Sequence, residues 1–339
     1  MELHENIPLT KYTTMRLGGK ARYMVDVRSI DDISLVVEQA AIRQLPLFVL
    51  GGGSNTIARD EGFAGIVMRN KLMGFEVISD DPAQTELRIG AGEDWDETVE
   101  RTVQAGLSGI EALSKIPGTV GAAPVQNIGA YGQEVADVIT SVEAYDITQR
   151  KLVALRPQDC SFSYRHSIFR GEAAGRYIIT AITLKLSKSA PQPPFYAALE
   201  TYFEKNNTTI FTTQAIRDAV IVIRADKLPD PAVTPNSGSF FKNAVIDDWL
   251  YSELRTEYPD MPAYDMPEKQ HKIPTGWLIE QVGLKGKTLY GMRVHEKNAL
   301  VLINASASSY ADLSNARSEI QNAVRDKFRI SIEQEPLEL

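Results

Sequence analysis

The chain has too few cysteines and histidines for a disulfide framework or a typical metal centre. Its one cysteine, Cys160, cannot form an internal disulfide, and only four histidines accompany it in 339 residues. Zinc sites use four such ligands at close spacing, which the sequence does not offer. We therefore expect no metal and a reducing, cytoplasmic setting.

An excess of basic residues and a long apolar run are also lacking. Lys and Arg number 36 against 44 Asp and Glu, a formal net charge of -8. Nucleic-acid affinity rests chiefly on a basic surface, so we expect no nucleic-acid partner. No apolar run approaches the roughly 20 residues that span a bilayer, and residues 1–12 do not resemble a secretory signal, so we expect no membrane insertion.

What is present is the composition of a folded protein, with 43% hydrophobic and 24% charged residues. The length predicts two or three domains. Apolar periodicity and acidic residues three positions after Ser29 and Ser309 predict helices that begin at these serines. Further helices are predicted at 94–105, 213–224, 247–258 and 274–282, and strands at 47–50, 65–68, 86–89, 142–147, 177–186, 239–245 and 299–303. Prolines 229 and 231 favour a boundary near residue 225.

Four glycine-rich turns crowd into the first 132 residues: GGGSN at 51–55, GAGEDW at 90–95, PGTVGAAP at 117–124 and NIGAYG at 127–132. Glycine lets several N–H groups approach one anion, such as a pyrophosphate, although turns also use glycine for shape alone. Neither nucleotide fingerprint is present, because GxGxxG is missing and Gln281 stands where a P-loop requires glycine. A nucleotide would be held in another way.

Later motifs offer polar groups whose chemistry the pattern alone does not define. They are YRHS at 164–167, GSFFKN at 238–243 and EQE at 333–335. A Ser-His-Asp hydrolase is a weak reading, since Ser239 lacks the GxSxG elbow. His4 and His271 are expected at the surface, and structural roles are the simpler reading for His166 and His295.

Six motifs taken together resemble the UDP-N-acetylenolpyruvoylglucosamine reductases, the MurB family, over about residues 13–335. These are LGGGSN (50–55), IPGTVGAAPVQNIGAYG (116–132), YRHSIF (164–169), KLPDP (227–231), GSFFKN (238–243) and GWLIEQVGLKG (276–286). Each motif is weak by itself, but their joint occurrence in this order is specific. YRHSIF and the segment around Tyr196 resemble the type with a mobile tyrosine loop.

The resemblance implies an α+β fold with a two-part FAD-binding region of the vanillyl-alcohol oxidase (PCMH) type and an α/β substrate-binding domain. The implied parts are residues 1–70, joined by the C-terminal strand at 330–339, then 71–225, then a substrate domain at 226–329. The implied activity is NADPH-dependent reduction of the enolpyruvyl ether of UDP-N-acetylglucosamine-enolpyruvate to UDP-N-acetylmuramate, in peptidoglycan precursor synthesis. We expect non-covalent FAD, because the matching loops contain no His, and a monomer acting on a small-molecule substrate.

The resemblance also implies site residues. Arg165 matches the active-site arginine, Ser239 the proton donor and Glu335 the C-terminal glutamate, although Gln334 replaces a proline and leaves Glu333 as an alternative. Substrate contacts fall at Tyr164, Tyr196, Lys227, Asn243, Lys272, Lys285 and Asn298. FAD contacts fall at Arg16, Gly51, Gly52, Gly53, Ser54, Asn55, Gly90, Gly92, Pro117, Gly118, Gly121, Ala122, Gln126, Asn127, Gly129 and Gly132.

Two alternatives stay open. A flavin oxidase or dehydrogenase of the same superfamily with another substrate would be favoured if Ser239, Arg165 and the lysines were missing, and all are present. A flavin- or nucleotide-binding protein without catalysis would bind FAD and never turn over.

Overall fold

The computed structural model describes residues 2–339. The helices are α1 (Ile30–Ile42), α2 (Trp95–Gln104), α3 (Ala197–Lys205), α4 (Thr213–Lys227), α5 (Asp248–Glu257), α6 (Thr275–Gln281) and α7 (Tyr310–Phe328). The strands are β1 (His4–Pro8), β2 (Lys20–Val27), β3 (Leu47–Leu50), β4 (Thr56–Ile57), β5 (Phe63–Asn70), β6 (Phe75–Asp80), β7 (Gln84–Gly90), β8 (Gly129–Ala130), β9 (Gln133–Glu134), β10 (Ile139–Asp146), β11 (Lys151–Leu155), β12 (Tyr177–Ser187), β13 (Asn236–Ser239), β14 (Ala244–Asp247), β15 (Tyr264–Met266), β16 (Gln270–Ile273), β17 (Thr288–Leu289), β18 (Met292–Val294), β19 (Val301–Asn304) and β20 (Leu337–Glu338).

The described chain forms two compact units, and each unit collects separate stretches of sequence. The first unit contains the chain up to Ile7, Ala21–Gly52 and Ala64–Ala225. The second contains Pro8–Lys20, Gly53–Phe63 and Asp226–Leu339. The three-part division into cofactor and substrate domains stays a prediction, since the units are defined by packing alone.

The first unit contains a four-stranded sheet in the order β1-β2-β5-β3, which packs against α1. Ser29 caps α1, since its hydroxyl accepts from the N–H of Asp32 and the Asp32 carboxylate accepts from the N–H of Ser29. This local pattern confirms the helix predicted at Ser29. Ile33 and Val36 of α1 are completely buried in the core under the sheet.

A five-stranded antiparallel sheet, in the order β11-β10-β12-β7-β6, forms the larger part of the first unit. Helix α2 buries Trp95 and Val99 in the same core as Leu87 and Ile89 of β7. Helices α3 and α4 bury a smaller cluster that includes Leu199 and Val220. Sequence patterning did not predict α3.

The second unit is built around α7 and the sheet β13-β19-β18-β17, with β14-β16-β15 as a second sheet. Its core contains Leu313 and Ile320 of α7, but also Met15, Leu17 and Ile57 from the two N-terminal stretches. At the C-terminus β20 runs parallel to β4, with Leu337 opposite Thr56. The N-terminal stretches are therefore part of this unit's core.

The strand predicted at 239–245 is wrong, because the chain leaves one sheet and joins another within it. Strand β13 ends at Ser239 and β14 begins at Ala244, in different sheets. Phe240 and Phe241 are consecutive and both are buried, at 0% and 1% exposure, which a strand with one solvent face does not allow. The Thr275 hydroxyl donates to the carbonyl of Lys242 and accepts from the N–H of Ala244, which fixes the bend.

Candidate functional site

In the first unit, the predicted cofactor turns pack backbone against backbone. A Cβ on Gly52 would lie 2.8 Å from the Cα of Gly118, and one on Gly51 would lie 2.7 Å from Oγ1 of Thr119. Position 52 therefore requires glycine, whereas a side chain at position 51 would have to displace the side chain of Thr119. Within residues 2–339, the N–H groups of Gly51, Gly52 and Gly118 donate no main-chain hydrogen bond outside helices and strands. These N–H groups fit a phosphate-bearing cofactor, which binds through backbone donors.

Three other predicted cofactor glycines use their N–H groups inside the protein. Gly90 donates to Gly74 at 2.8 Å, Gly92 to Leu72 at 2.7 Å, and Gly121 to Ala91 at 2.9 Å. The N–H groups of these glycines therefore stabilise the turns through main-chain hydrogen bonds. The remaining predicted cofactor positions of the first unit are Pro117, Ala122, Gln126, Asn127, Gly129 and Gly132. The side-chain Oε1 of Gln126 accepts from Nη1 of Arg170 at 3.0 Å.

Gly53, Ser54, Asn55 and Arg16, also predicted to contact FAD, lie in the second unit. The carbonyl of Asn55 accepts from the N–H of Leu337 at 3.0 Å, which ties this turn to the C-terminal segment. Nη2 of Arg16 donates to the carbonyl of Ala232 at 2.6 Å. The arginine thereby anchors the segment that follows Lys227. Lys227 itself, a predicted substrate residue, is exposed.

Arg165, the predicted active-site arginine, lies in a tight turn of the first unit. Ser163 and His166 exchange two backbone hydrogen bonds, of 3.2 and 3.1 Å, across Tyr164 and Arg165. The φ of Arg165 is 55°, a left-handed conformation that favours glycine and costs an L-residue free energy. Nη2 of Arg165 donates to the carbonyl of Gly129 at 3.0 Å. The predicted site therefore contains a strained residue held by a neighbouring strand.

Tyr196 lies in the first unit at the start of α3, and its side chain is 43% exposed. Its ring meets that of Tyr131 edge-on, with centroids 5.9 Å apart. The pKa of Tyr131 is raised because the ring is buried, and the charge and hydrogen bond of Arg224 only partly offset this effect. Tyr196 is therefore supported on one side and open to solvent on the other.

In the second unit, the structure brings Ser239 and Glu335 together through the main chain. The N–H of Glu335 donates to the carbonyl of Phe240, the residue after Ser239, at 2.9 Å. Glu335 is 7% exposed. The side chain of Glu333, the alternative, is 75% exposed and pairs with Lys242 at 3.1 Å. Burial and proximity to Ser239 favour Glu335 over Glu333.

The other predicted substrate residues of the second unit lie on one strand and in three loops. Lys272 is on β16, opposite Val245 and Tyr264, and its Nζ lies 5.8 Å from the centre of the Tyr264 ring. Lys285 pairs with Glu280 at 2.9 Å, with half-exposed side chains. The side chains of Asn243 and Asn298 accept from the N–H groups of Thr275 and Leu300, so both have structural bonds as well.

Two residues that are not among the predicted site residues lie against them. Tyr131 supports Tyr196, and Glu134 accepts a hydrogen bond from Asn127 at 2.6 Å. Both belong to the sequence AYGQE that closes the fourth glycine turn. The glycine in this sequence is typical of a hairpin turn, and a hairpin places a residue just after the turn, such as Glu134, opposite the strand before it.

Residues 2–339 provide no group of three or more His, Cys, Asp or Glu that could hold a metal ion. Over the same residues, no helix combines the length and apolar character needed to cross a membrane.

Comparison with known proteins identifies two family models along the chain. Residues 21–153 match the FAD binding domain, and residues 230–338 match the C-terminal domain of UDP-N-acetylenolpyruvoylglucosamine reductase. A curated protein of that name from Ralstonia nicotianae is 39% identical over 338 residues, covering 99% of this chain and 98% of its own. Another from Cupriavidus pinatubonensis is 40% identical over 338 residues, covering 100% and 99%.

Solved structures show the same fold. UDP-N-acetylenolpyruvylglucosamine reductase from Thermus caldophilus aligns with a TM-score of 0.69 at 23% identity, covering 100% of this chain and 99% of its own. A solvent-stable cholesterol oxidase aligns with a TM-score of 0.51 at 13% identity, covering 98% and 86%. The predicted fold class is confirmed: an α+β chain with an FAD-binding region of the PCMH type and an α/β C-terminal domain.

Proposed function

Because the chain belongs to the UDP-N-acetylenolpyruvoylglucosamine reductase family, we propose that it reduces the enolpyruvyl ether of UDP-N-acetylglucosamine-enolpyruvate to UDP-N-acetylmuramate, with NADPH as the source of electrons. The observation that carries this proposal is the 39% identity over 99% of the chain to a protein of that name. A cytoplasmic location, a monomeric state and a role in peptidoglycan precursor synthesis belong to the same proposal.

FAD, when bound, supplies the hydride that adds to the β-carbon of the substrate's double bond. The N–H groups of Gly51, Gly52 and Gly118 are the groups of the first unit that we assign to its pyrophosphate. Since the predicted loops contain no His, the flavin is held without a covalent bond. Side-chain substitutions in these turns would then affect FAD binding mainly by changing the backbone conformation.

Ser239 is the proton donor in this proposal. Reduction of a carbon–carbon double bond needs one hydride and one proton, and hydride addition at the β-carbon leaves a basic α-carbon. A serine hydroxyl is a weak acid, but transfer to such a carbon is downhill. Positioned proton donors typically contribute about 100- to 10,000-fold to the rate.

Arg165 and Glu335 stabilise the charge that develops beside the α-carbon. That charge spreads into the adjacent carboxylate, which the forked guanidinium of Arg165 can bind through two parallel hydrogen bonds. Glu335 polarises the same group, either as the acid or through a bound water. In a buried position such as that of Glu335, at 7% exposure, these interactions are stronger than in water.

The substrate diphosphate and sugar are assigned to residues that supply local positive charge and hydrogen bonds in an otherwise acidic chain. Lys285 is held by Glu280 only in an exposed pair, which is worth little and is easily exchanged for a phosphate. The half-exposed Tyr196 fits the proposed tyrosine loop. The full set is Tyr164, Tyr196, Lys227, Asn243, Lys272, Lys285 and Asn298.

Anaerobic stopped-flow absorbance tests the proposal. NADPH is mixed with the flavin-loaded protein, and UDP-N-acetylglucosamine-enolpyruvate is then added. Bleaching of the flavin followed by substrate-dependent recovery of colour is expected. Bleaching without recovery would contradict the proposed acceptor, and a protein that cannot be loaded with FAD would contradict the whole proposal.

A further inference from the structure

The turn that carries Arg165 cannot fix the direction of its side chain by itself. Arg165 and Tyr164 are the two central residues between Ser163 and His166, and Arg165 has the left-handed φ of 55°. A two-residue turn leaves a long arginine side chain many rotamers, each of which costs entropy to exclude. Within the turn the guanidinium carbon lies 5.3 Å from the centre of the Tyr164 ring, and contacts outside the turn restrict the side chain further.

The hairpin formed by β8 and β9 supplies such contacts. Arg165 donates to the carbonyl of Gly129 on β8 at 3.0 Å. Glu134 lies directly opposite Gly129 on β9. A Cβ on Gly129 would be 2.9 Å from Cγ of Glu134 and 3.4 Å from Nη1 of Arg165, so both side chains lie against the bare Cα of this glycine.

Asn127 joins this hairpin to the turn. Its Nδ2 donates to Oε2 of Glu134 at 2.6 Å and to the carbonyl of Ser163, the first residue of the turn, at 3.3 Å. Its Oδ1 accepts from the N–H of Ala136 at 3.1 Å. Asn127 is 1% exposed. Both amide donors and the amide oxygen thus serve the protein itself, and one carboxylate fixes which way the amide faces.

We propose that Glu134 and Asn127 are positioning residues for Arg165: they hold both the turn that bears it and the carbonyl that its guanidinium contacts. This inference rests on the proposed function, in which Arg165 binds the substrate carboxylate. Neither residue touches the substrate. A displacement of about 1 Å in such a group can slow a reaction by about 100-fold.

Three variants and one control separate this role from a general effect on folding. Glu134→Ala and Asn127→Ala remove the link, whereas Glu134→Gln keeps an oxygen that can accept from Asn127. Asp137→Ala is the control on the same hairpin, since Asp137 accepts only from the N–H of Glu134 in this network, at 3.0 Å. Its loss removes a turn-capping bond and leaves the bond between Asn127 and Glu134 intact.

The rates of the two half-reactions are measured separately by stopped flow. We expect Glu134→Ala and Asn127→Ala to slow reoxidation by UDP-N-acetylglucosamine-enolpyruvate about 10- to 100-fold, and we expect Glu134→Ala to leave reduction by NADPH unchanged. Glu134→Gln should recover most of the rate, and Asp137→Ala should keep it. Equal slowing of both half-reactions in Glu134→Ala, or a Glu134→Gln variant as slow as Glu134→Ala, would overturn the inference.

A double-mutant cycle with Arg165→Lys asks whether Glu134 acts through the arginine. If it does, Glu134→Ala slows reoxidation by less than about twofold once Arg165→Lys is present, because residues that act as one unit are not additive. The full effect of Glu134→Ala in that background would overturn the inference.

A measurement without turnover keeps the two proposals distinguishable. In ¹⁵N-labelled protein, the side-chain Nε–H resonance of Arg165 is assigned by its absence in Arg165→Lys. It should shift or broaden in Glu134→Ala and Asn127→Ala and stay unchanged in Asp137→Ala. An unchanged resonance in the first two would overturn the positioning role, whereas a wild-type protein that never turns over would overturn only the proposed function.

Discussion

The main-chain N–H of Glu335 donates to the carbonyl oxygen of Phe240 at 2.9 Å. The C-terminal segment thus runs beside the residues that follow Ser239, and two further backbone contacts extend the pairing: Phe241 bridges Gln334, and Lys242 donates to Glu333. Successive residues of an extended segment point to opposite sides, so Glu333 and Glu335 lie on the same side but at different positions along it. Only Glu335 is buried.

This pairing predicts different results for two conservative changes. Glu335→Gln should lower the rate of flavin reoxidation by substrate about 100-fold, the usual cost of removing one group that stabilises developing charge. Glu333→Gln should leave the rate within about twofold, because its ion pair with Lys242 is exposed and worth less than about 1 kcal/mol. The reverse order of effects, measured by single-turnover stopped flow, would move the role to Glu333.

Ser239→Ala should separate the two half-reactions. Loss of the proton donor is expected to slow reoxidation by substrate about 100- to 10,000-fold, while reduction by NADPH stays at the wild-type rate. The matched control is Ser237→Ala, which removes a buried hydroxyl from the same strand, whereas Ser239 is partly buried. Equal slowing of both half-reactions in Ser239→Ala would remove this residue from the role.

Arg165 predicts a trade between stability and activity. Its φ of 55° costs a residue with a Cβ about 1–2 kcal/mol. Glycine avoids this cost, but its greater freedom in the unfolded chain lowers the stability of the folded protein by about 0.4–1 kcal/mol. Arg165→Gly should therefore be more stable than Arg165→Ala by about 0.5–1 kcal/mol in urea unfolding, although both lose turnover. At Glu38, an exposed residue of α1, the same pair should reverse, with glycine less stable by about 1 kcal/mol.

Glu338, in strand β20, predicts a change in stability with pH. Burial by itself would raise the pKa of Glu338, but hydrogen bonds from Arg59, Tyr310 and Arg317 outweigh it and hold the pKa at about 2. A carboxyl with a lowered folded pKa stabilises the protein above its ordinary pKa of 4.5, and this contribution is lost as the pH falls toward about 2.

Glu338→Gln should accordingly lower the free energy of unfolding at pH 7 by about 1–3 kcal/mol, the usual worth of hydrogen bonds to a charged group. The difference from wild type should shrink as the pH falls through the window below 4.5. Urea unfolding at a series of pH values measures it. A difference that stays constant with pH would show that the arginines contribute nothing through charge.

Gly52 tests the backbone cradle proposed for FAD. A methyl group there would meet the Cα of Gly118 at 2.8 Å, so Gly52→Ala must move one of the two turns. Flavin retained after gel filtration, measured by absorbance, should fall well below wild type. Gly276→Ala is the control, because its new methyl would meet the Leu300 side chain at 3.4 Å, an ordinary contact. Full flavin retention in Gly52→Ala would contradict the assignment.

Sequence patterning predicted the helices whose signals are local. The serine caps of α1 and α7 and their apolar stripes define both helices without knowledge of the rest of the chain. The strand at 239–245 was wrong because the exchange of sheets after Ser239 depends on Thr275, far along the sequence. Edge strand β6 was missed because most of its residues are exposed and show no buried face.

The same limit applies to the candidate site. Motif resemblance selected Arg165, Ser239 and Glu335, but it left Glu333 open because the two glutamates differ only in burial. Glu134 was missed because its partner Asn127 lies across a hairpin turn, and the bond between them depends on the pairing of Gly129 with Glu134. Amino-acid composition does not reveal contacts that depend on which residues of two strands lie opposite each other.

The pairing of β20 with β4 has a consequence for synthesis on the ribosome. Leu339 donates to the carbonyl of Ile57 and accepts from the N–H of Arg59, so a residue made late in synthesis pairs with residues made early. Met15, Leu17 and Ile57 must wait for the C-terminal core that covers them. At about 5–20 residues per second, this wait lasts roughly 15–60 seconds. The nascent chain therefore exposes these apolar residues during that time, and a chaperone that binds early apolar segments would find its target there.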